Sequence, residues 1–288
     1  MVAWDFQTVS QGIFAQDDPN TDPSKFDFTA NRFGLLLPTW QDLKGHVKAL
    51  QDSAEPNVSY KVLFLARHGQ GFHNLCIEKY GEAEWDQHWA KLTTDGLTLW
   101  GPDPELTELG VHQAKSVHHA WKEQLASGAP MPEGTLYCSP FTRSIETLLN
   151  TWDGIYEGIR GGPDGTDKVV LIKELLRETI GVHTCDKRST RSEIAKRYPF
   201  FQIEDGFEED DIYYQDDYRE TIAELDDRIQ RFLEFLFEQD AILETVPTYV
   251  SVTAHSGVLH SFCHVLKHVD FPVKTGGMIP VIVKATRN

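Results

Sequence analysis

Four short apolar runs, each closing on residues able to do chemistry, constrain this chain more than any other feature. Val62-Leu63-Phe64-Leu65-Ala66 ends at Arg67-His68-Gly69, and Thr135 to Ser139 leads into Pro140-Phe141-Thr142-Arg143. Val169 to Ile172 precedes Glu174 and Glu178, and Thr248 to Ala254 stops at His255-Ser256-Gly257. Continuous apolar runs of this length suit parallel strands buried on both faces. Between them, apolar residues recur three and four apart, as in Val111, Ala114, Val117, Trp121 and Leu125, or Ile222, Leu225, Ile229, Phe232 and Leu236. That is the spacing of helices with one buried face. Strand and helix alternate, so the expected fold class is α/β: three layers, α/β/α, with a mainly parallel central sheet. Its ligand site is expected beyond the carboxyl ends of the strands. Pro280 to Lys284 reads as one last strand.

The first 57 residues lack this rhythm. Pro19, Pro23, Pro38 and Pro56 stand among scattered aromatics such as Trp4, Phe6, Phe28, Phe33 and Trp40. Residues 1–57 therefore read as an N-terminal arm packed on a main domain of residues 58–288, with cover over an active site as the alternative. Gly161-Gly162-Pro163-Asp164-Gly165 reads as a surface turn, because no Lys-Ser/Thr follows at the spacing of a phosphate-binding loop.

Composition narrows the partners. A net charge of −17 repels phosphate backbones and anionic lipid, so neither nucleic acid nor membrane is an expected partner. No apolar run approaches the ~18 residues of a membrane span, and the N-terminus has no signal-peptide pattern. Cys76, Cys138, Cys185 and Cys263 stand singly, which fits reduced thiols and a cytoplasmic location.

The strand ends carry the chemistry. Two arginines offer rigid forks for a tetrahedral oxyanion, two imidazoles can donate to it or attack it, and a carboxylic acid can protonate a leaving oxygen. This inventory suits phosphoryl transfer through a histidine. It calls for no metal and no cofactor, since guanidinium groups can take the neutralising role that Mg²⁺ has elsewhere.

With these residues in view, the sequence resembles the histidine phosphatase superfamily, the branch that includes cofactor-dependent phosphoglycerate mutases. The opening Arg-His-Gly…Asn motif stands as Arg67-His68-Gly69-Gln70-Gly71-Phe72-His73-Asn74, and a Leu-Thr-x-x-Gly-x-x-Gln-Ala segment as Leu106 to Ala114. The Ser-Pro-x-x-Arg-x-x-x-Thr element runs from Ser139 to Thr147, and the late histidine sits in Thr253-Ala254-His255-Ser256-Gly257. The resemblance implies a phosphoglycerate mutase-like fold with His68 as the nucleophile. Arg67, Arg143 and His255 would clamp the phosphoryl oxygens, and Asn74 and Ser256 would contact substrate. Leu176-Arg177-Glu178 fits the family's acid better than Ile172-Lys173-Glu174, so Glu178 is the expected acid and Glu174 the fallback. Cys185-Asp186-Lys187-Arg188 and the Phe-rich arm resemble a fungal phosphomutase-like group.

Lys187 and Arg188, with Arg191, are expected to read the non-reacting part of an anionic substrate. The competing view has Arg191 open a helix through Tyr198 while the cluster offsets nearby acids. His260, His264 and His268 recur every four residues, yet no acidic or thiol ligand shares their face, so packing or exposure is favoured over a metal site. Glu208-Glu209-Asp210-Asp211 reads as a solvated acidic face. The expected function is a phosphomonoester hydrolase acting on a small phosphorylated metabolite. Alternatives are a phosphomutase, a catalytically weak binding protein, and a member redirected to non-phosphate chemistry in small-molecule biosynthesis. Gln70-Gly71-Phe72-His73 in place of the usual Glu-Ser-x-Trp weighs against the mutase.

Overall fold

The computed structural model describes residues 3–9, 12–161 and 169–288. The turn expected at 161–165 lies, from 162 onward, outside the described residues. In chain order, β1 (Trp4–Thr8) and α1 (Trp40–Asp52) precede β2 (Val58–Arg67), α2 (Phe72–Tyr80), α3 (Glu82–Gln87) and α4 (Glu108–Ala126). There follow β3 (Leu136–Cys138), α5 (Thr142–Trp152), β4 (Val170–Ile172), α6 (Arg191–Arg197) and β5 (Gln202–Ile203). The chain continues with α7 (Ile222–Glu238), β6 (Tyr249–Ala254), α8 (Ser256–Val265) and β7 (Met278–Arg287).

The strands form one sheet in the order β1-β7-β2-β6-β3-β4-β5. Pairing is parallel from β2 through β6, β3 and β4 to β5, and antiparallel where β7 lies between β1 and β2. Side chains alternate across a strand, so β2 feeds two cores. Val62 and Phe64 join Trp40 and Val47 of α1, Val117 and Trp121 of α4, and Ile145 and Trp152 of α5. Leu63 and Leu65 join Ile229 and Phe232 of α7 and Val258 and Phe262 of α8 on the opposite face. A helical layer therefore covers each face of the sheet, which makes the fold α/β in three layers.

Residues 1–57 hold more regular structure than their sequence suggests. β1 pairs with the far edge of β7, Phe6 opposite Ala285, and α1 presents Trp40, Leu43 and Val47 to the core. Only three of its residues are buried, among many polar ones, which hides its period, but its start has a local cause. The Thr39 hydroxyl accepts from Asp42 N at 3.1 Å, and the Asp42 carboxylate accepts from Thr39 N at 2.9 Å, a reciprocal cap.

The connection after β2 is seated by residues distant in the chain. Gln113 Oε1 accepts from Gln70 N at 2.8 Å, and Thr107, which caps α4, donates to Gln70 Oε1 at 2.7 Å. Thr147 Oγ1 accepts from Gly69 N at 2.9 Å. Gly110 has no room for a side chain, since a Cβ there would collide with the Gln70 carbonyl oxygen. Gly110→Ala is expected to push the 68–71 loop aside, and a shift of about 1 Å costs roughly 100-fold in a positioned reaction. Hydrolysis of an aryl phosphate, the activity expected from the sequence, is the measurement, with far-UV circular dichroism as the control on folding. Unchanged turnover would show that the loop absorbs the added carbon.

Candidate active site

Parallel pairing of β2 with β6 sets Arg67 opposite Ala254, so the next residues, His68 and His255, leave the sheet side by side. His68 N donates to Ala254 O at 3.0 Å, and the two imidazole centroids stand 5.0 Å apart. His68 Nδ1 donates to Gly69 O at 2.6 Å. A carbonyl can only accept, so Nδ1 holds the ring proton and Nε2 keeps its lone pair. Burial first, then the Arg143 and Arg67 charges, hold His68 well below the usual imidazole range. The ring is thus neutral at pH 7, with a lone pair on Nε2.

His255 is fully buried, and its Nε2 lies 2.6 Å from Ser139 Oγ and 3.3 Å from Ser144 Oγ. With Ser139 donating to Nε2, the proton sits on Nδ1, which has no partner. Burial, followed by Arg143, also holds His255 well below its ordinary value. Arg143, at the start of α5, is fully buried and spends one N–H on Cys185 O (2.8 Å) and one on Asp186 Oδ1 (3.0 Å). Arg67 spends one on Val273 O (2.9 Å). A guanidinium has five N–H donors, so both keep unclaimed donors among the described residues, including each Nε.

A cavity of about 310 Å³ opens here, lined by Arg67, His68, Arg143 and Glu178 among others. Glu178 accepts from Thr179 N at 2.9 Å and from Gly257 N at 3.3 Å. Its loop is held from behind by Arg228 of α7, which donates to the carbonyls of Leu175 (2.8 Å), Arg177 (2.7 Å) and Glu178 (3.3 Å) while paired with Glu220. Glu174 is elsewhere: its carboxylate is taken by Arg177 at 3.0 Å and Arg188 at 2.8 Å, and it does not line the cavity. Asn74 and Ser256 do line it; Asn74 Oδ1 accepts from Gly71 N at 3.0 Å, which leaves its amide donors free.

Two expected substrate contacts are not in the cavity. Arg188 is buried and gives its donors to Glu174 and to the carbonyls of Ser189, Glu208, Glu209 and Asp210. Nothing remains for a substrate. Lys187 is exposed and sits 5.3 Å over the Tyr214 ring, also outside the cavity lining. Asp211, expected on a solvated face, is buried and bonds both its oxygens to Arg177 at 2.7 and 2.8 Å. The three-histidine series breaks too. α8 ends at Val265, and each imidazole has its own aspartate: Asp270 for His260, Asp226 for His264 and Asp17 for buried His268. Burial would lower His268, but the hydrogen bond to Asp17 and the contributions of Cys263 and the Val269 carbonyl together outweigh it and raise the ring to about 10.

Among the cavity residues that sequence reasoning missed are His73, His183, Asp186 and Arg219. Asp186 bridges Arg143 and Arg219, at 3.0 and 3.1 Å, and so positions one of the clamping guanidiniums. The Cys-Asp pair was visible in the sequence, but not its partner on α5. His183, Cys185 and Asp186 bring their ligand atoms within 4.8 Å of one another. That donor set fits a cation poorly, because two guanidiniums already occupy the carboxylate, and burial with Asp186 pushes the Cys185 thiol well above its ordinary value.

Arg188→Ala should act on folding rather than on substrate affinity. Removing one partner of a buried ion pair costs about 3–5 kcal/mol; urea denaturation checks this, and an altered KM with native stability would contradict it. Acidification tests the neutral imidazoles. His68, His73 and His255 all have lowered folded pKa values, so the unfolded chain takes up protons first as pH falls below about 6.5. Their contribution to stability is full above that pH and declines below it, by up to about 1.4 kcal/mol per pH unit for each ring. His268 has the opposite sign, its contribution being complete below about 6.5 and lost as pH rises towards about 10. Denaturation between pH 7.5 and 5.5 should show this decline, and His255→Gln should flatten it by about one proton; an unchanged slope would mean that His255 is already charged.

Comparison with known proteins bears on the same residues. A family model described as "Histidine phosphatase superfamily (branch 1)" matches residues 63–274. The "Probable phosphoglycerate mutase" of Arthroderma benhamiae is 38% identical over 95% of this chain and 82% of its own. The "Probable phosphoglycerate mutase PMU1" of Saccharomyces cerevisiae is 36% identical over 81% of each chain. "Phosphomutase-like protein 3" of Candida albicans is 34% identical over 95% of this chain and 78% of its own. A match across strands, helices and the whole stretch from His68 to His255 leaves one assignment: this chain belongs to the histidine phosphatase superfamily, branch 1.

Proposed function

We propose that this protein is a phosphomonoester hydrolase that works through a phosphohistidine on His68 and acts on a small phosphorylated metabolite. One observation carries the reading: a neutral imidazole with a free Nε2 faces a cavity whose walls include two guanidiniums with unclaimed donors and the Glu178 carboxyl group. In the first step His68 Nε2 attacks phosphorus and the ester P–O bond breaks. Glu178, entering as the acid, gives its proton to the departing alkoxide. Arg67, Arg143 and the Nδ1–H of His255 hold the equatorial oxygens, whose charge stays high throughout. In the second step Glu178, now a carboxylate, takes a proton from water as the water oxygen attacks phosphorus. The P–N bond breaks, the electron pair returns to Nε2 and inorganic phosphate leaves.

The guanidiniums supply the neutralising charge, so the reaction needs no metal in this reading. Hydrolysis is favoured over mutase chemistry by the cavity mouth. A mutase must keep a doubly phosphorylated intermediate bound, and the exposed Glu82 and Asp86 of α3 bring two carboxylates into the cavity lining, which disfavours a second anion there. The three relatives named above bear mutase or mutase-like names, and the two activities share every step up to the fate of the phosphohistidine.

His68→Ala should reduce hydrolysis of an aryl phosphate by at least about 10⁴-fold, the scale set by loss of a nucleophile elsewhere, with the melting temperature little changed. Wild-type turnover should persist in EDTA, stop with vanadate and leave an acid-labile phosphoryl label on the chain. Undiminished turnover by the His68→Ala variant would remove the nucleophile assignment, and loss of activity in EDTA would remove metal independence.

A further inference from the structure

His73 stands in the first turn of α2, and nothing in the steps above uses it. Its ring is buried, lines the catalytic cavity, and has its centroid 5.4 Å from that of His68. We propose that His73 is a third imidazole of the catalytic site, a neutral donor whose Nε2–H contacts an oxygen of the bound phosphoryl group. This rests on the hydrolase reading for the identity of that group.

Three observations converge. The first is Gly71. Its backbone, at φ −91° and ψ 166°, is open to any residue, so no turn demands glycine there. A Cβ, however, would come within 2.8 Å of His73 Nδ1 and 2.9 Å of Cε1. The missing side chain is the space in which the imidazole sits. The second is hydrogen bonding. Nδ1 is buried against Gly71 with no partner, and no protein group among the described residues bonds the ring. A buried polar group left unpaired is destabilising, and a phenyl or isobutyl group would fill the same place without that cost. The third is charge. Burial, then Arg143, His68 and Arg67, hold His73 well below the usual imidazole range, so the ring stays neutral.

A neutral imidazole has a single N–H. On Nδ1 it would meet no acceptor among the described residues; on Nε2 it becomes a donor in the cavity. A phosphoryl oxygen arriving there selects the second tautomer. The contact adds a donor without adding a further cation beside Arg67 and Arg143, which already disfavour one another electrostatically.

The test uses the full chain with three variants, His73→Phe, His73→Gln and Gly71→Ala. It measures kcat/KM for an aryl phosphate, the vanadate dissociation constant by calorimetry, and the melting temperature. His73→Phe should weaken vanadate binding and lower kcat/KM by roughly 10- to 100-fold, the scale of one hydrogen bond to a charged group, while melting no lower than wild type. His73→Gln, which keeps an N–H, should recover part of the loss. Gly71→Ala should follow His73→Phe, because the added carbon displaces the ring. Vanadate affinity and turnover of His73→Phe within twofold of wild type would overturn the proposal and leave the hydrolase reading intact. Should wild type neither hydrolyse esters nor form phosphohistidine, the hydrolase reading falls, and vanadate affinity across the variants still decides whether His73 contacts the anion. A variant that melts early is replaced in the comparison by the other two.

Discussion

The parallel register between β2 and β6 is the constraint on which the site depends. Adjacent strands lie about 4.8 Å apart, and with Arg67 opposite Ala254 the residues one step on are two imidazoles at nearly that spacing, 5.0 Å between centroids. A slip of one residue would send every side chain of the strand to the other face. The two cores forbid it, because Val62 and Phe64 fit the side of α1, α4 and α5 while Leu63 and Leu65 fit the side of α7 and α8. The same apolar alternation that buries the sheet therefore fixes the distance between His68 and His255. Packing and chemistry share one cause.

Arginine is used in two distinct ways around this point, and the difference lies in how many donors are spent. Arg177, Arg188 and Arg228 bond carboxylates and backbone carbonyls, and together they fasten the 174–188 segment to α7 and to the 208–211 turn. They act as internal splints in a region with little regular structure to satisfy its carbonyls. Arg67 and Arg143 instead hold back most of their donors and turn them to the cavity. In a chain of net charge −17, these cations sit buried beside two neutral imidazoles, with Asp186 paired to Arg143.

Much of this was legible from sequence because it follows from periodicity and from local motifs. Apolar runs gave the strands, three- and four-residue spacing gave α4 and α7, and residues at the strand ends meet around one cavity because parallel topology gathers those ends. The membership in the histidine phosphatases followed from the same motifs. What could not be read depends on partners far along the chain. Glu174 and Glu178 differ by four positions, and only the capture of Glu174 by Arg177 and Arg188 separates them. Arg188 and Lys187 looked alike as cations near the acid, yet one is enclosed by carbonyls of 208–210 and the other lies on a tyrosine. The 208–211 stretch read as acidic surface, whereas its carbonyl groups and one buried carboxylate are what the fold uses. β1 and β5 are short strands whose pairing, not their composition, defines them.

Unpaired buried groups give this arrangement its direction. Among the described residues ten buried side-chain nitrogen or oxygen atoms lack a partner, and three of them, Arg67 Nε, Arg143 Nε and His255 Nδ1, are N–H donors gathered around His68. Each costs the fold about 1–3 kcal/mol as long as nothing meets it. Such a concentration is poor design for stability alone, since apolar side chains of similar volume would pack there at lower cost. It is good design for an anion with several oxygens, which would satisfy the donors together. Because packing has already oriented them, little reorganisation is left to oppose the reaction as charge moves between the ester oxygen and the ring.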